Sequence, residues 1–470
     1  MAKPPPTLPD IKPSIIQQVL GTPLTANRKI FQAAVVVAVL SGFVLLGSIA
    51  KELVVAKWFG RGDDLDAYVI AFLLPSFLVN LVSGSVNSAL IPTFIQVRAT
   101  EGKEAADRLF SGVMLWTLVL LVGVSILVGL SAPYSLALLG SGFSAEKLLL
   151  TRHLLYVLLP FVTLSGLVTL WTSVLNAGER FALPAFLPIL SPVLVIAFLW
   201  LAGNAWGIYA LAFGLVSGMA AQTVVLAWVL KRHDLHLSLR WHGMDANLRQ
   251  VASQCVPMIA GSLLMGSNDL IDQSMSAMLE PGSVAALNYA KKVVSLFVVI
   301  GAIPLSTAAL PYFSQMVAQH DWAGCRHTLK TYSRLILLIT VPITLGLVLF
   351  SHPLIRILFE RGAFAAADTS VVSHVLVFLS LQIPFYILGN MGVRLVSALK
   401  RNAVLMAIAA VNMVLNVVLN YIFMKYAGVA GIALSTSLVY LASCIMVFAS
   451  IFVALRRADS IKSAGGSCAR

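Results

Sequence analysis

The sequence predicts an all-α polytopic membrane protein, with about 12 transmembrane helices in two parallel six-helix repeats and a central cavity between the halves. Three observations support this. Hydrophobic residues make up 59% of the 470 and charged residues 11%, with a mean hydropathy of +0.92, too apolar for a soluble globule of this length. The apolar residues gather in runs able to cross roughly 30 Å of hydrocarbon, which takes about 20 helical residues. Short motifs of the first half return in the second at an offset near 220 residues, the mark of an internal repeat.

Taken in order, the polar, Pro-rich start MAKPPPTLPDIKP is followed by an apolar run only at Ile30, too late and too long for a cleaved signal peptide. Residues 1–29 therefore read as a cytoplasmic tail. Spans follow at about 30–50, 67–95, 109–132, 148–176, 181–202 and 206–230, forming an N-terminal six-helix bundle over 30–235. Six more, at 248–279, 283–314, 333–351, 369–398, 403–424 and 428–455, form a C-terminal bundle over 236–456, and 457–470 is a second cytoplasmic tail. Bends are expected where Pro75, Pro160, Pro188, Pro192, Pro304 and Pro384 interrupt the runs, since neighbouring helices satisfy the freed carbonyls. The ten-residue alternation of a transmembrane barrel, roughly one strand per segment, is not visible. The longest connection, about 231–247, leaves no room for a soluble domain.

The net charge of +13 raises nucleic acid as a partner, and its placement decides against one. With the N-terminus inside, cytoplasmic segments hold 21 of the 32 Lys and Arg, and the opposite loops hold eight: Lys51, Lys57, Arg61, Lys147, Arg152, Arg356, Arg361 and Lys425. The positive-inside rule then puts both termini in the cytoplasm, and the basic excess is an orientation signal. Lys291, Lys292 and Arg394 remain, all within predicted helices. Cys255, Cys325, Cys444 and Cys468 show no paired spacing, and neither an HExxH array nor a Gly-rich phosphate loop with its Lys occurs. No catalytic site, metal centre or ATP-driven engine is expected, so the chain does not read as an enzyme.

The repeat is the most informative feature. ALIPTF (89–94) returns as AALPYF (308–313), and APYSLALLGSGFSAE (132–146) as SHPLIRILFERGAFAAAD (351–368), with Pro133 over Pro353 and Gly142 over Gly362. LNAGERFALPA (175–185) matches VSALKRNAVLM (396–406), and WGIYALA (206–212) matches AGVAGIA (427–433). Six helices bring the chain back to its starting side, so both repeats share one orientation about an axis along the membrane normal, as in parallel-repeat transporters. Substrate is then expected between the halves, near the midplane.

Polar residues able to line that space are Lys51 and Glu52 at the end of helix 1, Asn80, Ser83, Ser85 and Asn87 in helix 2, Asn268, Asp269 and Asp272 in helix 7, and Asn288, Lys291 and Lys292 in helix 8. A charge at a helix centre costs about 2.5–3.5 kcal/mol on insertion scales, so it faces a cavity or a partner. Lys51 and Lys291 lie within about two turns of a helix end, where snorkelling to the headgroups competes with that role. Adjacent helical residues point about 100° apart, so one of Lys291 and Lys292 is expected to face inward. Asp269 and Asp272 lie one turn apart on a shared face, either as an ion pair with Lys51 or Lys292 or as a cation or proton site. At the repeat offset Asp272 falls over Lys51, consistent with a charge link closing one end of the cavity.

These residues also carry a family resemblance. KELVVAKWFGRGDDLDAYVIAFLLPSFL (51–78) looks like the first-helix and second-helix region of the MurJ/MviN lipid II flippases, R-D-x-x-x-A-x-x-F-G-x-G followed by D-A-F-x-x-A-F-x-x-P-N. GSVAALNYAKKVVSLFVVIGAIPLSTAALPYFSQ (282–315) resembles that family's GSVSxLxYADRL stretch, and ILFERGAFAAADT (357–369) its LFERGAF signature. The likeness covers most of the chain and implies the fold of the multidrug, oligosaccharidyl-lipid and polysaccharide (MOP) exporters, a MATE-like pair of bundles. It implies structural roles for Asp66, Glu360 and Arg361, the last expected to pair locally with Glu360 or Asp368. Lys51 and Lys292 stand where the family has arginines, which keeps positive charge without the bidentate fork. Leu45, Val79, Asn80 and Gly84 depart from charged family positions, and the family pattern has two further helices.

The resemblance implies a flippase that carries an undecaprenyl-diphosphate-linked oligosaccharide, an exopolysaccharide, O-antigen or peptidoglycan precursor, from the cytoplasmic to the periplasmic leaflet of the bacterial inner membrane. Lys51, Asn80, Asn288, Lys291 and Lys292 are the expected substrate contacts, with Ser83 and Asn87 as further hydrogen-bond donors to sugar. Glu52, Asp269 and Asp272 are the candidate cavity ion pair or coupling site, with Na+ or H+ as the only small ion implied. A cation-coupled drug or metabolite antiporter of the same superfamily is the alternative. Expected partners are the lipid-linked diphosphate, membrane lipids and polysaccharide synthesis proteins. QVRATEGKEAADRLF and QMVAQHDWAGCRHTLKTYSR read as interfacial amphipathic helices on lipid headgroups.

Overall fold

The computed structural model describes residues 26–178, 180–232, 241 and 243–467, with the side chains of all of these except 26–34, 257, 265, 299–311 and 457–467. Most of the tail expected over 1–29, and residues 233–240 of the long connection, lie outside the described residues. The first six helices are α1 (Ala26–Phe59), α2 (Asp63–Thr100), α3 (Lys103–Leu139), α4 (Ala145–Ala177), α5 (Ala182–Trp206) and α6 (Ile208–Arg232). The second six are α7 (Ala246–Ser276), α8 (Ser283–Ala318), α9 (Trp322–Leu349), α10 (Ala366–Ala398), α11 (402–427) and α12 (429–467). A short helix, Ser351–Phe359, leads from α9 towards α10.

Nine stretches among the described residues are long and apolar enough to cross a membrane, the last of which, Asn402–Arg456, contains both α11 and α12. With α7 and α8, 31 and 36 residues long, and with α11 and α12 counted apart, the described residues form twelve helices long enough to cross a membrane. The helices overrun their apolar runs because charges at the ends find partners. α1 continues past residue 50 to Phe59, carrying Lys51 beside Glu52 at 2.8 Å. α12 stays helical to Ser467, so the tail expected from 457 starts as a continuation of that helix.

The repeat is visible in the backbone. α6 and α12 each begin after a glycine in nearly the same conformation, Gly207 at φ 52°, ψ −131° and Gly428 at φ 54°, ψ −134°. A side chain is poorly tolerated there. Gly142 packs against the carbonyl of Ala277, and its counterpart Gly362 against the carbonyl of Lys57, too close in both places for a Cβ.

The two segments expected to be interfacial amphipathic helices each contain a tight reversal between spans. α2 passes into α3 through Gly102 at φ 90°, and α8 into α9 through His320 at φ 54°, where Asp321 accepts from the Gly324 amide at 2.8 Å. A cap on one side and a positive-φ residue on the other turn the chain in a few residues. One core cluster joins α2, α3, α4 and α6 with Leu248, Val251 and Cys255 of α7. The other runs from the ends of α1 and α2 through α8, α10 and α12. α7 therefore begins in the core of the first six helices and ends among the last six.

Candidate functional site

The helices α1 and α8 bound a cavity of about 280 Å³. Its walls are mainly apolar, with Leu45, Ile49, Leu53, Val293 and Phe359 among them, and its charges are Lys51, Glu52 and Lys292. Glu52 receives both lysines, Lys51 at 2.8 Å and Lys292 at 3.4 Å, and the Lys292 side chain is 46% exposed. Two ammonium groups share one carboxylate between largely apolar walls, leaving one positive charge. Such a group attracts an anion strongly because the low dielectric weakens screening.

Lys291 points elsewhere. Its ammonium lies 2.6 Å from Asp269 and 3.2 Å from Asp272, and Asp272 is 2% exposed. Asp272 also accepts from the side-chain amides of Asn416 and Asn420, each at 3.0 Å, and from the Thr436 hydroxyl at 3.0 Å. A buried carboxylate is tolerable only with this full set of donors and a counter-charge. The cluster lines a cavity of about 230 Å³ with Asn268, Gln382, Tyr386 and Tyr440. Asp269 also faces a second space of about 270 Å³ between α2 and α7, lined by Ser76, Asn80 and Gly266.

The end of the molecule carrying the α1–α2 turn is held shut by contacts between the first and last six helices. Asp66, 1% exposed, accepts the backbone amides of Gly282 and Ala285 at 2.7 Å each and the Lys147 ammonium at 2.9 Å. A carboxylate at the first turn of α8 satisfies free amides and meets the positive end of the helix dipole. Tyr289 donates to the Gly60 carbonyl at 2.9 Å, Arg61 pairs with Asp368 at 3.1 Å, and the Ala363 amide reaches the Lys57 carbonyl at 2.9 Å.

Several expectations change. Lys291, expected as a substrate contact or a snorkelling residue, is the counter-ion of Asp269 and Asp272. Lys51 is held by Glu52, so the link from Lys51 or Lys292 to the α7 aspartates is not formed. Arg361 donates to the carbonyls of Ile357 and Leu358 at 2.6 and 2.8 Å, capping the short helix, while Asp368 pairs with Arg61 and Glu360 accepts from Thr369 at 2.7 Å. Asn80 lines the α2/α7 space, whereas Asn87 accepts from Ser173 and Ser83 is buried against α4. Asn288 is half-buried and outside both lysine clusters. Among the described residues no group of three or more His, Cys, Asp or Glu gathers. Sequence reasoning missed Asn416, Asn420 and Thr436, although VNMVLNVVLN sets Asn412, Asn416 and Asn420 four residues apart on one face of an apolar helix.

Comparison with known proteins gives the family and the fold. The family model described as Lipid II flippase MurJ covers residues 55–467. The probable lipid II flippase MurJ of Rickettsia prowazekii is 27% identical over 414 residues, covering 87% of this chain and 81% of that protein. The lipid II flippase MurJ of Burkholderia cenocepacia is 27% identical over 417 residues, covering 84% and 79%. A solved structure of lipid II flippase MurJ in an inward closed conformation superposes with a TM-score of 0.77 at 24% identity, covering 89% and 87% of the two chains. An inward-facing MATE multidrug transporter of the MOP superfamily reaches 0.74 at 14% identity, covering 91% and 99%. These structures share the fold, two bundles about a central space. With a model match over most of its length, this multi-pass membrane protein belongs to the MurJ family of lipid flippases, which are transporters rather than enzymes.

Proposed function

We propose that the chain moves an undecaprenyl-diphosphate-linked saccharide from the cytoplasmic to the periplasmic leaflet of the bacterial inner membrane by alternating access, with residues 30–235 and 236–456 rocking as two bodies. The observation that supports this reading is the α1/α8 cavity, where Lys51 and Lys292 converge on Glu52 between apolar walls. A bare charge in hydrocarbon costs tens of kcal/mol by Born estimate, which forbids an unaided flip. A diphosphate entering the cavity takes both lysines from Glu52 and keeps its charge compensated while the lipid tail stays in the bilayer. With both termini in the cytoplasm, the shut end at Gly60 is periplasmic. Outward passage then gains about 2.3 kcal/mol per 100 mV for each anionic charge.

The relatives are named for lipid II, so the peptidoglycan precursor is the first substrate to test. Exopolysaccharide and O-antigen intermediates share the diphosphate and form the comparison arms. A drug antiporter of the superfamily finds less support, since the α1/α8 cavity carries a surplus ammonium that repels a cationic drug.

A second reading concerns coupling. Asp272 with the oxygens of Asn416, Asn420 and Thr436 offers hard donors of the kind that suit a cation such as Na+, and the Asn420 side-chain oxygen is buried without a partner. Two carboxylates, Asp269 and Asp272, face the single ammonium of Lys291, so a cation or proton would restore charge balance at Asp272.

The test is ligand-induced thermal stabilisation of the purified protein by undecaprenyl diphosphate, with undecaprenol as control. Stabilisation by the diphosphate alone, lost in Lys51→Ala/Lys292→Ala, is expected. Equal stabilisation by the uncharged alcohol would contradict the diphosphate role.

A further inference from the structure

Ser76, Asn80, Gly84 and Ser88 follow one another at intervals of four along α2, so they form a polar stripe on one face of a largely apolar helix. Asn80, Gly84 and Ser88 are exposed, and nothing lies within 4 Å of the place that a Cβ on Gly84 would take. Ser76 and Ser88 donate their hydroxyl protons to the carbonyls of Leu73 and Gly84, at 3.0 and 2.9 Å, which leaves the hydroxyl oxygens free to accept. The Asn80 side chain has no hydrogen-bond partner among the described residues. Ser76 and Asn80 open into the space of about 270 Å³ that α7 closes with Ser262, Gly266 and Asp269. A Cβ on Gly266 would lie 2.8 Å from the Phe77 ring, so the glycine lets that ring lie against α7 as an apolar floor.

Among the described residues that line this space, Asp269 alone is charged. It shares the Lys291 ammonium with Asp272, so two carboxylates stand against one positive charge. The Asp269 side chain is 60% exposed, against 22% for Lys291 and 2% for Asp272, and the part of the triad presented to the space is therefore a carboxylate. The next residue on α8, Lys292, carries its ammonium into the α1/α8 cavity, and its field reaches Asp269. The region between the halves thus has two poles, a surplus ammonium on the α1/α8 side and a surplus carboxylate on the α2/α7 side.

We propose that the α2/α7 space is a subsite for an uncharged sugar bonded to the diphosphate, and that Asp269 makes it reject a sugar bearing a carboxylate. The inference rests on the reading that Lys51 and Lys292 hold the diphosphate. Sugar hydroxyls both donate and accept, as do the Asn80 amide and the serine hydroxyls, whereas the Asp269 carboxylate only accepts. An uncharged sugar offers that carboxylate a hydroxyl proton and forms a charge-assisted hydrogen bond, while the C–H face of its ring covers Phe77. A uronic acid instead sets a second negative charge beside Asp269, where the partly apolar walls leave the repulsion weakly screened. The two poles also orient the substrate, with the diphosphate towards Lys292 and the sugar towards Asp269.

The test is binding of two synthetic lipids to the purified full-length protein, read by intrinsic fluorescence in sodium-free buffer, which leaves the surplus carboxylate uncompensated. One is undecaprenyl diphosphate bearing glucose, and the other bears glucuronic acid, so the pair differ only in a carboxylate for a hydroxymethyl group. Bare undecaprenyl diphosphate reads the diphosphate site alone. The parent is expected to bind the glucose lipid about tenfold more tightly than the glucuronate lipid, the effect of one weakly screened like charge. Asp269→Asn is expected to bring the two affinities together, and Asn80→Val to remove the gain that glucose gives over the bare diphosphate. Equal affinity of the parent for the two sugar lipids would overturn the subsite. So would a preference that persists unchanged in an Asp269→Asn protein melting as the parent does. Failure of bare undecaprenyl diphosphate to bind would overturn the diphosphate reading, and this inference with it, which keeps the two failures distinct.

Discussion

Lys291 and Lys292 are neighbours in sequence with opposite duties. Lys291 neutralises a carboxylate that is 2% exposed, whereas Lys292 keeps a 46% exposed side chain in the α1/α8 cavity. Removing one member of a buried ion pair costs about 3–5 kcal/mol because the other charge is stranded. Lys291→Met is therefore expected to lower the melting temperature in detergent clearly, and Lys291→Met/Asp272→Asn to regain most of the loss. A double variant no more stable than either single would show that the two side chains do not act as a pair. Lys292→Ala leaves Glu52 its nearer partner, Lys51 at 2.8 Å, and should change stability by about 0.5 kcal/mol or less. It should still weaken diphosphate-lipid binding, while Lys292→Arg preserves it, as titration by intrinsic fluorescence would read. That the lysines diverge follows from the 100° step of a helix. Which one turns to the aspartates does not, because the amides and hydroxyl completing the cluster are 144 to 164 positions from Asp272.

At the scale of elements, the twelve helices and their repeat were readable because each is local, a run of apolar residues or a motif returning at a fixed offset. WGIYALA over AGVAGIA aligned Gly207 with Gly428, and both hold the same conformation. Strained backbone positions of this kind cost of order 1–3 kcal/mol when a Cβ is added. Gly207→Ala and Gly428→Ala should destabilise by similar amounts, and unfolding midpoints that moved for only one of them would argue against equivalent junctions. Helix ends were less legible, since α1 overruns its apolar run and the expected interfacial helices contain reversals at Gly102 and His320. Those features depend on which charge finds a partner across the molecule. Asp66 shows the consequence for opening. It caps α8, the helix that carries both lysines, and a lost cap costs about 0.5–2 kcal/mol. Asp66→Ala should therefore speed labelling of an Ala286→Cys reporter, buried at 0% exposure, by an impermeant thiol reagent. An unchanged rate would mean that the cap does not hold this end shut.

For the molecule as a whole, the basic excess, the repeat and the family-like motifs led to the same class that the family model gives. The placement of the charges at helix ends, rather than their number, separated a membrane protein from a nucleic-acid binder. The polar interior of the last six helices was the part least visible beforehand. Its asparagines looked like isolated tolerated residues until α7, α10, α11 and α12 brought them round one space. The proposed function joins these parts: a lipid diphosphate held by Lys51 and Lys292 and driven outward by the membrane potential. The most direct measurement is translocation of fluorescent lipid II in proteoliposomes with a potassium diffusion potential of controlled sign. The parent is expected to move the lipid towards the positive face, more slowly when the potential is collapsed, and Lys51→Ala/Lys292→Ala is expected to move none. Translocation by that double variant at the parent's rate would contradict the role of the lysines, and a rate indifferent to the potential would contradict the electrical drive.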